Sequence, residues 1–208
     1  FGASSGRAIL ANYEDGKIRM EEIHRFSNDP VTICGTFYWD ILRLFFEIKQ
    51  GISKAVHQGG FDAIGIDTWG VDFGLLDKKG RLLNNPVHYR DTRTMGMMEK
   101  VFEKVPQEEL YGETGIQLMR INTIFQLYSL VLNEPETLAQ ADKLLLIPDL
   151  FAYLLTGEQR AEYTEVSTTQ MLNPRTGDWH YELLEKLGIP TRILPKIIDA
   201  GETYGLLS

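Results

Sequence analysis

One amphipathic segment does most to fix the class of fold. From about Asp40 to His57 the apolar residues Ile41, Phe45, Ile48, Ile52 and Ala55 share one stripe, which is helical spacing. Asp40 is placed as an N-cap and Gly59-Gly60 as a stop. Ahead of this helix, residues 7–13 and 17–26 read as paired strands turning at Glu14-Asp15-Gly16. A loop through Pro30 and Gly35 then leads into the helix. Directly behind it, Ala63 to Asp67 is a short apolar run of buried-strand type. Hairpin, helix and strand in succession exclude a bundle or a sandwich and predict a mixed α/β domain.

Further on, Val71–Leu76 and Arg81–Val87 predict a hairpin around Asp77 to Gly80. Beyond Asp91 the pattern becomes helical, with helices expected at 94–104, 107–113, 122–133 and 148–156. Lys143–Ile147 reads as a strand, Asn173–Gly177 as a turn, 182–187 as a short helix, and 201–208 as a strand beginning. One contiguous domain with a small helical lobe after Asp91 accommodates all of this. The chain starts without Met and inside a motif, so further chain is expected before Phe1 and after Ser208.

Composition narrows the function classes. Among 208 residues, 29 are acidic and 21 basic, and the net charge of −8 argues against a nucleic-acid or polybasic membrane footprint. No apolar run approaches the roughly 20 residues of a membrane span. The single cysteine, Cys34, has no partner for an internal disulfide, which suits a reducing, cytoplasmic setting and predicts a buried thiol. His24, His57, His88 and His180 are scattered without metal-ligand spacing.

Four stretches carry polar chemistry. Phe1-Gly-Ala-Ser-Ser-Gly-Arg7 is a small turn offering backbone N–H groups, two hydroxyls and a guanidinium, the donor set a polyphosphate needs. It lacks the lysine of a Walker loop, and a strand rather than a dinucleotide-binding helix follows it. Ile64-Gly-Ile-Asp-Thr-Trp-Gly-Val-Asp-Phe-Gly74 ends a strand in carboxylate, hydroxyl, indole and glycine, where α/β folds place ligands. Asp67 and Asp72, five apart, fall on opposite faces of an unbroken strand, and Gly70 can bend it or admit a ligand. Tyr89-Arg-Asp-Thr-Arg-Thr94 suits an internal ion pair or a ligand clamp. Glu162 to Gln170, rich in hydroxyls, reads as caps and turns.

Taken in order, these motifs resemble the FGGY family of carbohydrate kinases. The resemblance rests on Phe1–Arg7, Gly65-Ile-Asp-Thr-Trp-Gly-Val-Asp-Phe73, Tyr89–Thr94, Pro148-Asp-Leu-Phe-Ala-Tyr-Leu-Leu-Thr-Gly157, and Glu162-Tyr-Thr164 with Ser167-Thr-Thr-Gln170. It implies an actin/hexokinase-type fold of two ribonuclease-H-like α/β domains, of which residues 1–208 would be the first. Ala3, Ser4, Ser5, Gly6 and Arg7 match the family's ATP-phosphate turn, and Gly70 a backbone position against the sugar. The branch it resembles transfers phosphate from ATP, with Mg²⁺, to the 1-hydroxyl of L-rhamnulose. The family's catalytic aspartate lies in a His-Asp-Thr segment, and none occurs in residues 1–208. Asp67, Asp72 and Asp149 are not substitutes for it, nor is a metal ligand assigned here. Catalytic base and adenine pocket are therefore expected beyond Ser208, with the isolated chain inactive. A kinase for another ketose or polyol, or a non-catalytic nucleotide-binding domain, are the alternatives.

Overall fold

The computed structural model describes all residues from Phe1 to Ser208. The first unit is the long hairpin β1 (Ser5–Glu14) and β2 (Lys17–Ser27), antiparallel from Ser5 opposite Ser27 to Glu14 opposite Lys17. Asp15 (φ 51°) and Gly16 (φ 73°) form its two-residue tip, the left-handed pair that matches the natural strand twist. A second, short hairpin, β3 (Val31–Ile33) and β4 (Thr36–Tyr38), occupies what the sequence presents as a plain loop. Cys34 sits at its tip with φ 50° and is exposed, not buried as expected, because the side chain of a two-residue tip has nothing to pack against.

Helix α1 (Ile41–His57) is where the periodicity placed it, and Asp40 caps it by accepting from the Arg43 N–H at 3.1 Å. Its buried face runs along Ile41, Leu44, Ile48, Gly51 and Ala55. The stripe is therefore turned slightly from the expected one, with Phe45 and Ile52 at its margin. Gly51 brings the helix onto β1, since a Cβ there would lie 2.7 Å from that of Ala8.

Ala63–Asp67 is the main departure. It is not a strand, pairs with nothing, and its residues are exposed apart from partly covered Ile66. An apolar run becomes a strand only when another strand hydrogen-bonds to it, and none lies beside this one. The expected mixed sheet is accordingly divided into two-stranded pieces. The predicted hairpin after it is half realised. Strand β5 (Phe73–Leu76) is met by the 81–87 segment only at a Leu76–Leu82 bridge and the Leu83 N–H to Leu75 carbonyl bond.

The helical part follows a 3-10 turn at Thr92–Thr94. It comprises α2 (Met97–Phe102), α3 (Gln107–Thr114), α4 (Thr123–Asn133) and α5 (Pro135–Gln140). Strand β6 (Lys143–Leu146) pairs antiparallel with β5 and runs straight into α6 (Ile147–Thr156). Strand β7 (Arg160–Glu162), α7 (Tyr163–Ser167), the hairpin β8 (Leu172–Asn173) and β9 (Asp178–Trp179), α8 (Tyr181–Lys186) and β10 (Lys196–Ile198) complete the elements. Strand β10 pairs parallel with β7. Residues 201–208, expected to begin a strand, pair with none. They lie against α6, where the Tyr204 hydroxyl donates to Asp149 and the Ser208 N–H to the Leu155 carbonyl.

The β5–β6 ribbon separates two cores. Phe73, Leu75, Leu144 and Leu146 point into the larger, with α4 and Trp179. Leu76 and Leu145 point into the smaller, with Trp39, α1 and α6. Burial on both faces explains why β6 reads Leu-Leu-Leu instead of alternating. Each such fully buried side chain contributes about 1.5–3 kcal/mol.

Candidate functional site

The amino-end turn is held by its backbone. The Gly2 N–H donates to the Ser5 carbonyl (2.8 Å), the Asn28 N–H to the Ser4 carbonyl (3.0 Å), and Asn28 Nδ2 to the Gly2 carbonyl (3.0 Å). Asn28 is itself buried. Gly6 is buried too, and a Cβ there would fall 2.2 Å from the Phe26 ring, so no other residue fits without movement. The side chains are the reverse. The Ser4 and Ser5 hydroxyls and the Arg7 guanidinium make no hydrogen bond or ion pair, and Ser4 and Arg7 are exposed. Arg7 stands opposite Arg25 in the ladder, and Arg25 is engaged by Glu22 at 2.6 Å. A fixed backbone carrying two unspent hydroxyls and an unspent cation is suited to an anion.

Beside it lies the second motif. The Phe1 nitrogen donates to the Asp67 carbonyl at 2.6 Å. Phe1, Ala3, Ile66, Trp69 and Tyr89 all pack on the smaller core, so the start of the turn and the segment at 66–69 are anchored on the same core. The chain bends after Gly70 because Val71 adopts φ 68°, a left-handed conformation that a β-branched residue avoids. Three side chains hold the Val71 peptide there. Its N–H donates to Thr168 Oγ1 (3.2 Å), and its carbonyl accepts from Thr123 Oγ1 (2.7 Å) and Gln126 Nε2 (3.3 Å). Gly70 is pressed by the same Thr168, whose Cγ2 would be 3.1 Å from an added Cβ. Backbone strain over-determined in this way is typical of ligand sites.

The bend leaves Asp67 exposed and turns Asp72 inward to 1% exposure. Asp72 Oδ2 accepts from Trp39 Nε1 (2.6 Å), Trp69 Nε1 (3.1 Å) and the Tyr89 N–H (3.1 Å). Its Oδ1 accepts from Gln126 Nε2 at 2.9 Å. Burial raises its pKa to about 6, while the Trp39 and Gln126 hydrogen bonds pull it down. Trp39 is fully buried and stacks between Trp69 and His88, with centroids 4.0 Å from each. His88 is pushed down to about 4 by burial and by the neighbouring Arg90 charge.

The Tyr89–Thr94 stretch has a structural role, though not as an ion pair. Asp91 accepts the Arg93 and Phe37 N–H groups, each at 2.8 Å, and the Arg93 guanidinium donates to Gln126 Oε1 at 2.6 Å. Glu162 caps α7 as expected, accepting from the Thr164 and Glu165 N–H groups at 3.0 and 3.2 Å. Nearby, Asp149 is fully buried and raised to about 7, Glu165 to about 8, burial being the larger cause in both. Residues 1–208 gather no group of three or more His, Cys, Asp or Glu placed to hold a metal ion.

Of the residues singled out, Ala3 packs on the same core as Ile66 and Trp69, Ser4 and Arg7 are exposed, Gly6 is buried against Phe26, and Gly70 lies against Thr168. Trp39 and Gln126, which hold Asp72, carry no local signal in the sequence. They reach Asp72 across 33 and 54 residues.

The architecture is that of an actin/hexokinase-type sugar-kinase lobe. It superposes over its whole length on 42% of a ligand-bound xylulose kinase from Lactobacillus acidophilus, with TM-score 0.87 at 21% identity. Against a Plasmodium falciparum glycerol kinase with ADP the TM-score is 0.74 at 16% identity, covering all of this chain and 46% of that one. The family model for the N-terminal domain of the FGGY family of carbohydrate kinases matches residues 1–208, and the chain belongs to that family. Among curated proteins it is similar to a rhamnulokinase of Bacteroides thetaiotaomicron, 43% identical over 208 residues, covering all of this chain and 43% of that protein. A rhamnulokinase of Oceanobacillus iheyensis is 45% identical over 207 residues, covering 99% of this chain and 44% of its own length. The chain therefore spans less than half the length of the curated relatives it matches.

Proposed function

We propose that residues 1–208 are the first of two domains of an ATP-dependent sugar kinase that phosphorylates L-rhamnulose at its 1-hydroxyl in rhamnose catabolism. The observation that supports this reading most is the common anchoring of two motifs. A turn with unspent Ser4, Ser5 and Arg7 side chains and the bend after Gly70 are anchored on the same core. Ala3 to Arg7 would receive the phosphates of ATP, and Gly70 would lie against the sugar.

Phosphoryl transfer needs mainly positioning and charge stabilisation. The backbone of the turn, fixed by Asn28 and Gly6, would hold the transferring group without reorganising, and Arg7 would neutralise its oxygens. The Thr168, Thr123 and Gln126 bonds to Val71 would keep the sugar's hydroxyl in line. The donor set of the turn suits a triphosphate. Residues 1–208 bring together no ligand set for Mg²⁺, which on this reading arrives with the nucleotide. The proton acceptor would be an aspartate of the second domain, whose closure over this surface excludes water. No helix of the chain is long and apolar enough to cross a membrane, and a cytoplasmic enzyme is the setting that fits.

A coupled ADP-release assay on the full-length protein tests the reading, with L-rhamnulose expected to be the preferred acceptor over other ketoses and polyols. ADP release that is indifferent to L-rhamnulose would overturn it.

A further inference from the structure

We propose that a cavity beside β5 is a binding site for a small neutral polyol, and that its occupancy tightens the Val71 bend through Arg93 and Gln126. The cavity has a volume of about 100 Å³ and lies between β5, the 83–87 segment and the junction of α4 with α5. None of residues 1–7 or 66–72 belongs to its wall, so it is distinct from the turn and the bend described above. The wall reaches solvent at Asn84 and Glu134, both exposed.

Two atoms of wall residues are buried without a partner, Arg93 Nε and Asn85 Oδ1. One is a donor and the other an acceptor, and leaving either unpaired is costly. A hydroxyl can accept from the first and donate to the second, and a polyol carries hydroxyls enough to serve both. Much of the remaining wall is apolar, with Phe73, Leu75, Leu83 and Leu130, which suits the carbon side of a polyol better than it suits water. The space equals about three waters, or one compact polyol of glycerol size. Charge selects against an anion, because Arg93 already faces the carboxylates of Asp72, Asp91 and Glu134.

The same Arg93 reaches the bend. Its Nη2 donates to Gln126 Oε1 at 2.6 Å, and Gln126 Nε2 donates to the Val71 carbonyl at 3.3 Å and to Asp72 Oδ1 at 2.9 Å. A ligand oxygen on Nε fixes the guanidinium plane from its free side. That steadies Gln126, and with it the left-handed Val71 peptide. Arg93 and Gln126 are thus positioning residues that act through Val71. On the reading that the sugar lies against Gly70, an occupied cavity lowers the KM for the sugar. Only this kinetic consequence rests on the proposed function, and the binding itself does not.

The test uses the full-length protein with glycerol as the probe. Saturation-transfer NMR should show saturable binding with a Kd of about 1 mM, within what so small a ligand can deliver. Asn85→Ala should weaken it by about tenfold or more, and Thr137→Met, which adds bulk to the wall, should abolish it. Glycerol should lower the KM for L-rhamnulose by about two- to fivefold in the wild type, with kcat little changed, and leave Asn85→Ala unaffected. By linkage, saturating L-rhamnulose should tighten glycerol binding by the same factor. Absent binding, binding untouched by Asn85→Ala, or binding displaced by L-rhamnulose would overturn the site and leave the cavity to water. Binding with an unchanged KM would overturn the coupling. A wild type that does not phosphorylate L-rhamnulose would bring down the proposed function, while the binding measurements would still decide the site.

Discussion

The turn at residues 2–7 and the loop at residues 69–72 are anchored on the same core and are built in opposite ways. In the turn every constraint is on the backbone, through Asn28 and the Gly6–Phe26 contact, and the side chains of Ser4, Ser5 and Arg7 are idle. In the loop the side chains are spent. Asp72 accepts four donors, Trp69 gives its single N–H, and Thr168 and Thr123 clamp the Val71 peptide. The contrast separates groups kept for a ligand from groups that hold a shape. A polar residue with no partner on a rigid backbone is a candidate contact, whereas a buried carboxylate with every lone pair engaged is scaffold, whatever its pKa. By that criterion Asp72, with both oxygens engaged, does not compete for the role of catalytic base.

The strongest attack on this contrast is Arg7→Ala in the full-length protein. If the idle guanidinium serves the phosphate, turnover should fall by about 10²- to 10³-fold, while urea denaturation shifts by no more than about 0.5 kcal/mol. Unchanged turnover would remove the turn from the chemistry. Next comes Gly6→Ala, which places a carbon against the Phe26 ring and should cost roughly 1–3 kcal/mol in the same denaturation experiment. A variant as stable as the wild type would mean that the turn is not held by that contact.

A weaker effect should appear in pH dependence. Asp149 and Glu165 have folded-state pKa values raised to about 7 and about 8, so the folded protein retains protons that the unfolded chain releases. Their contribution is greatest below the ordinary carboxylate range and is lost as pH rises from there to about 8. Thermal midpoints should fall across that window, and Glu165→Gln should flatten the fall. A slope identical in that variant would show that Glu165 is not the group responsible. Smallest of all is Cys34→Ser, expected to change stability by less than about 0.5 kcal/mol. The wild-type thiol should meanwhile react with iodoacetamide in the folded state. Slow labelling of Cys34 would contradict its exposed position at the hairpin tip.

What the sequence allowed to be read follows from the range of the interactions concerned. The β1–β2 hairpin and α1 depend on local periodicity, an Asp-Gly tip and an aspartate cap, and they were legible to within a few residues. Ala63–Asp67 was misread because strand formation is decided by a neighbour elsewhere in the chain, which local pattern cannot reveal. The hairpin at 31–38 and the six-residue α5 were too short for any period to show. In the candidate site, Ser4, Ser5, Arg7 and Gly70 stood out by composition and spacing. The role of Asp72 did not, since its partners Trp39, Tyr89 and Gln126 converge only in three dimensions.

The left-handed Val71 has a consequence for how this chain can change. Such a conformation costs a β-branched residue roughly 1–3 kcal/mol; glycine there would release it but give up a buried side chain worth about as much and add unfolded-chain entropy. The same exchange would slacken the one segment whose geometry the sugar would meet. Glycine would therefore bring no gain in heat tolerance to set against that slackening, so both demands keep the strained valine in place.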